Sequence, residues 1–346
     1  MTATVPTAPA APTAPAPHLA RWLIRLHQPA LLVGTAFVVV LGAALLWLWG
    51  PLTRGSVTAW RQYEACATAG PCHYNQYAIL LHKDVYQYAT FALLAVPFLV
   101  AAWAGASLVG RELEQGTVRL AWTQGVSPRR WLAAKLAVPA VPVTLGTGLL
   151  VLLHHLMWSA GDGRIGTAKD WYSGETFYAN GTVPVVLALA GLAAGALLGL
   201  LTGRSLAALG GALGLTGLLW LGTQLAMPHL WPTVTRVSSL RDGPTGSGLG
   251  VERGLLTASG ARIGDHGCDD GGTPKCRALF DRLDAVGYYH DYHPESHYWP
   301  LQITTSAVLL GVTALLTVAA FRLLRRRTRG PAAGPVSAAA VEEAAV

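Results

Sequence analysis

The sequence predicts an all-α integral membrane protein with six transmembrane helices, both termini cytoplasmic, and a large extracytoplasmic loop between helices five and six. Three observations predict it. The chain of 346 residues is 52% hydrophobic and 12% charged, where an ordinary soluble domain has about a quarter of its residues charged. Its apolar residues are gathered into six uncharged runs, each long enough to cross roughly 30 Å of hydrocarbon with some tilt. Arg and Lys are shared unevenly between the segments joining those runs.

Residues 1–17 are Ala, Pro and Thr without charge. Such a segment buries no core and is expected to be disordered. It has neither the basic start nor the cleavage pattern of a signal peptide. Residues 18–29 contain Arg21, Trp22, Arg25 and His27. This piece reads either as an amphipathic interfacial segment or as a plain basic flank of the first span.

The spans are expected at about 30–50, 85–110, 136–159, 182–203, 205–231 and 299–321, within a membrane domain running from 30 to 321. The apolar stretch holding spans four and five, about 50 residues, exceeds one crossing by twofold. It reads as two spans with a tight return through Gly203, Arg204 and Ser205. A single buried hairpin is the alternative. Pro97 in span two and Pro139 and Pro142 in span three are expected kink sites. Gly191, Gly195, Gly199 and Gly203 recur at a spacing of four and are expected to line one helix face for close packing. Gly210 and Gly214 repeat the pattern in span five. Packing within the subunit is the default reading for both sets, and a dimer interface the other. Residues 322–346 form a basic stop and a disordered tail.

With the N-terminus inside, the cytoplasmic segments carry 13 Arg and Lys and the short outer loops carry 5. The long loop 232–298 is exempt from this rule, since long loops translocate largely regardless of charge. The charge of +7 therefore follows inner-loop placement. No basic stripe with interleaved aromatics suggests a nucleic-acid partner. Cys66, Cys72, Cys268 and Cys276 all fall in outer segments, where disulfides persist. Four cysteines allow three connectivities, the simplest being Cys66 with Cys72 and Cys268 with Cys276.

Between spans two and three lies the polar stretch 111–135, with five basic residues. Gly116 breaks the incoming helix, and Ser127-Pro128 reads as the N-cap and first residue of the next. Thr117 to Gln124 is long enough for one or two turns lying across the membrane surface. The string Glu112-Leu-Glu114-Gln-Gly116-Thr117-Val-Arg-Leu-Ala-Trp122-Thr-Gln, followed by Arg130-Trp-Leu-Ala-Ala-Lys135, resembles the cytoplasmic loop of ABC-2 type permeases. The likeness is to the actinobacterial branch. It implies an exporter subunit in the bacterial plasma membrane, embedded in lipid and paired with a second permease copy or paralogue. It also implies a separate ATPase subunit on which this loop docks. Glu112, Glu114, Gly116 and Thr117 would then form the coupling turn, with Trp122 packing it. Arg130 and Lys135 would anchor the next helix at the headgroups or on the acids. His293-Pro-Glu-Ser-His297-Tyr-Trp-Pro-Leu-Gln302 resembles the family's Gln-Pro-x-x-Arg-Phe-Trp-x-x-Gln segment, with His297 standing for the Arg.

No phosphate-binding Gly-x-x-x-x-Gly-Lys-Ser/Thr loop, no Gly-x-Ser-x-Gly elbow and no His-Glu-x-x-His pair occurs. The chain is thus expected to be no enzyme, with no cofactor and no metal. The rival reading is a membrane-anchored sensor or accessory protein, or a membrane enzyme, using the outer His/Asp residues 265–270 and 288–299. Those residues match no known ligand spacing. His154 and His155, near the outer end of span three, are expected to be hydrogen-bonded structural residues.

Overall fold

The computed structural model describes residues 17–66, 73–123, 125–264, 267–268 and 273–328. Residues 1–16 and 329–346 of the expected terminal segments, and Cys72, Gln124, Asp265, His266, Asp269 and Asp270, lie outside these residues, while the basic stop through Thr328 is helical. Six helices are long and apolar enough to cross a membrane: Gln28–Cys66, Gln76–Glu114, Pro128–Gly161, Val183–Thr202, Ser205–His229 and Glu295–Thr328. They are called spans one to six. The separation of spans four and five into two helices agrees with the two-span reading.

Local chemistry accounts for the breaks. Pro51 has no N–H, and span one passes it through a π-helical turn, Leu48–Leu52. Thr53 Oγ1 donates to Leu48 O at 2.6 Å, so that carbonyl is satisfied inside the bundle. Asn75 caps span two, accepting from Ala78 N at 3.1 Å. Span two continues through Pro97 and widens into a π segment, Ala104–Gly110. Ser127 caps span three as its Ser-Pro pair predicts, and Pro128 is the first helical residue.

Span four is the most buried of the six. Its glycine stripe lies on span two. A Cβ on Gly191 would stand 2.6 Å from Pro97 O. One on Gly195 would stand 2.6 Å from Gly105 N, and one on Gly199 2.9 Å from Val109 Cβ. These three glycines let two helix backbones touch. Gly203 has another role. It ends span four in the left-handed region at φ 62° and turns the chain into span five. Gly210 and Gly214 meet nothing within 4 Å in this chain, so the expected packing of that pair within the subunit is not found.

The fold is not all-α. Most of the segment between spans five and six folds as a four-stranded antiparallel sheet with one helix. The strands are β1 (Val234–Ser239), β2 (Leu249–Thr257), β3 (Arg262–Gly264) and β4 (Ala285–His293), in the order β1-β4-β2-β3. The physical reason lies in β4, whose Gly-Tyr-Tyr-His-Asp-Tyr-His run combines aromatic strand formers with a buried central position. Tyr288 faces the helix Pro274–Arg282, where it packs with Leu255, Cys268, Cys276 and Phe280. Cys268 and Cys276 are joined as a disulfide. The other expected pair includes Cys72, outside the described residues.

The bundle therefore has two distinguishable ends. The sheet end carries the sheet and the short helix Gly174–Ala179. The loop end carries residues 111–127, the return between spans four and five, and the helix Pro17–Leu26.

Candidate functional site

At the loop end, the helix of span two runs to Glu114 and stops because Gly116 adopts φ 70°. Gly116 N donates to Leu113 O at 3.2 Å, closing the turn. A short helix, Thr117–Thr123, follows, and Gly125 at φ 85° turns the chain toward span three. This loop helix is held from one side. Val118 is buried among Leu108, Val109, Trp131, Leu132 and Leu200. Trp122 sets its ring edge-on to Trp131, centroids 6.2 Å apart. Arg119, Leu120 and Thr123 are exposed, Leu120 to 62%.

The two glutamates of the turn go to different elements. Glu112 Oε1 meets Lys135 Nζ at 2.5 Å, and Glu112 Oε2 accepts from Trp131 Nε1 at 3.3 Å. Lys135 is fully buried and also donates to His27 Nε2 at 3.2 Å. His27 in turn packs edge-on against Trp103, centroids 5.5 Å apart. Its imidazole is held down to about 4, first by burial and second by the Lys135 charge beside it. It is therefore neutral, which leaves Nε2 free to accept from the lysine. A buried charge needs such full pairing, because desolvation of an unpaired ammonium costs several kcal/mol.

Glu114 reaches across the bundle instead. Its Oε2 accepts from Ser205 N at 2.9 Å and from Ser205 Oγ at 2.5 Å. Arg130 is exposed at the start of span three, so Lys135 makes the ion pair with the turn. Thr117 Oγ1 donates to Glu112 O at 3.3 Å, tying the loop helix to the turn before it. Four partners in this cluster, His27, Trp103, Trp131 and Ser205, were not assigned roles from the sequence. His27 stands in the basic segment before span one and Trp131 in the string that carries the family resemblance, but neither pattern names its partner.

The sheet end is also polar inside. Gln302 is fully buried and closes four backbone groups. Its Nε2 donates to Phe177 O at 2.7 Å and Asn180 O at 3.0 Å. Its Oε1 accepts from Thr182 N at 3.1 Å and Val183 N at 3.2 Å. His154 lies fully buried between Thr90 Oγ1 at 2.9 Å and Asn180 Oδ1 at 2.6 Å, a hydrogen-bonded interior position. His293 Nε2 donates to Pro228 O at 2.9 Å, and its Nδ1 lies 3.1 Å from His297 Nδ1. Arg262 pairs with Asp291 at 2.8 Å on the sheet. Among the described residues, no three His, Cys, Asp or Glu side chains converge in a metal-holding group.

Six apolar helices, with one charged turn pinned between spans two, three and five, define a multi-pass helical membrane protein. Residues 36–231, more than half of the chain, match the family described as ABC-2 membrane transporter related, and the chain belongs to that family. It is thus a transporter permease, a component of membrane transport. Neither a curated protein nor a solved structure matches it.

Proposed function

We propose that this permease is the membrane-spanning subunit of an ATP-driven ABC-2 exporter in a bacterial plasma membrane. A separate ATPase subunit docks on loop 111–135, and the path lies between this chain and a second permease copy or paralogue. The carrying observation is the form of the loop in a chain of this family. The loop helix Thr117–Thr123 is fixed to the bundle by Val118 and Trp122 and turns Arg119, Leu120 and Thr123 outward. Arg119 supplies a residue type enriched at the energetic centres of protein interfaces, and Leu120, 62% exposed, adds apolar surface beside it.

The proposed orientation puts the loop end in the cytoplasm. Its support is the Arg and Lys distribution. The bare face of span five, with Gly210, Gly214 and an exposed Leu218, is the proposed seat of the second copy. Co-purification with the ATPase subunit, followed by ATP-dependent transport in sealed vesicles, tests the reading. Glu112→Ala combined with Glu114→Ala, with Lys135→Met added so that no buried charge is left unpaired, is expected to insert normally, hold the ATPase weakly and lose transport. Labelling of a Gln115→Cys thiol from outside intact cells would reverse the orientation and remove the proposal.

A further inference from the structure

We infer that Glu114 is the positioning residue through which movement of the loop enters span five. This rests on the proposal that the loop receives movement from an ATPase. It adds the route that movement takes.

Span five begins without a side-chain cap of its own. Arg204, the residue before it, makes no capping hydrogen bond. The first turn of a helix leaves four N–H groups unsatisfied and carries partial positive charge. The group that answers it comes from a residue 91 positions earlier, Glu114, whose Oε2 holds both the Ser205 amide and its hydroxyl. Hydrogen bonds to a carboxylate are roughly twice as strong as neutral ones.

Glu114 is exposed, and the helices it joins are already close beneath it. A Cβ on Gly110 would lie 3.1 Å from Ser205 Cα, and one on Gly105 2.7 Å from Ala208 O. Spans two and five therefore touch by backbone just before Glu114 reaches over. On the other side of the same return, Arg327 Nη2 donates to Leu201 O at 3.0 Å, where the C-terminal end of span four favours a cation. The return between spans four and five is thus gripped by a carboxylate from span two and a guanidinium from span six. Glu112, two residues before Glu114, holds span three through Lys135 and Trp131. One turn with two acids has a separate hold on span three and on span five.

The test uses the chain in complex with its ATPase subunit in lipid nanodiscs. Spin labels at Gln115→Cys and Arg326→Cys report the loop, and labels at Leu206→Cys and Arg326→Cys report span five. With Glu114 present, ATP is expected to shift both distance distributions. In Glu114→Ala the loop shift remains and the span-five shift is lost. Glu114→Gln keeps an oxygen acceptor for the amide and restores it in part. Ser205→Ala removes one of the two bonds and reduces it, which serves where Glu114→Ala does not assemble. A full span-five shift in Glu114→Ala or Ser205→Ala overturns the inference and leaves the coupling reading intact. No ATP response at Gln115 with Glu114 present overturns the coupling reading, and the inference with it.

Discussion

Lys135 Nζ lies 2.5 Å from Glu112 Oε1, and the lysine is completely enclosed. Removing one partner of such a pair leaves an uncompensated charge, at about 3–5 kcal/mol. Glu112→Gln and Lys135→Met alone should each lower unfolding stability in detergent by an amount in that range. The double variant should recover most of the loss, because no uncompensated charge is then left buried. A double variant as unstable as the sum of the singles would show that the pair is not the unit of stability there.

His27 sets a pH dependence. Its folded value, about 4, lies below its ordinary 6.5. Between those values the displaced segment binds more protons than the docked one, so docking strengthens as pH rises. The seat of helix Pro17–Leu26 on span three should be complete above about pH 6.5 and weaken progressively as pH falls toward 4. Hydrogen exchange of residues 21–26 between pH 4 and 8 measures it. His27→Gln should flatten the profile.

The glycine stripe separates two kinds of position. Gly195→Ala forces atoms into Ala104 and Gly105, while Gly214→Ala enters open space. Overpacking of this sort destabilises by about 1–3 kcal/mol. The melting temperature of the detergent-solubilised chain should fall in the first and hold in the second. Equal effects would contradict the close contact of spans two and four.

Gln302→Leu should be among the most damaging single changes at the sheet end. It strands the carbonyls of Phe177 and Asn180 and the amides of Thr182 and Val183. Each buried unsatisfied group costs about 1–3 kcal/mol. Loss of folded protein on size-exclusion chromatography is the expected readout. A well-folded Gln302→Leu would mean that water reaches these groups.

Much of this was legible beforehand. Apolar run length and the Gly203 break placed the six spans, because in lipid only helices satisfy their own backbone. Ser127-Pro128 and Gly116 located the ends of the charged turn. The sheet was not legible. The aromatics and histidines of Ala285–His293 also suit an interfacial belt, and strand pairing with Leu249–Thr257 is a long-range fact. The split of Glu112 from Glu114 was equally hidden. Two residues on one helix turn point about 200° apart, and only the packed bundle decides what each one meets. Lys135 and His27, 108 positions apart, show the same limit.

The touching backbones of Gly191, Gly195 and Gly199 against span two have a mechanical consequence. Only the short side chains of Ala101, Ala104 and Val109 stand at that contact, with little freedom to roll or re-rotamer, so those two helices behave as a single beam. Any opening of the bundle must hinge where longer residues interleave. Leu41, Leu45 and Leu48 of span one against Leu150 and Val151 of span three form such a seam. Their rotamers can slide past one another without parting the beam.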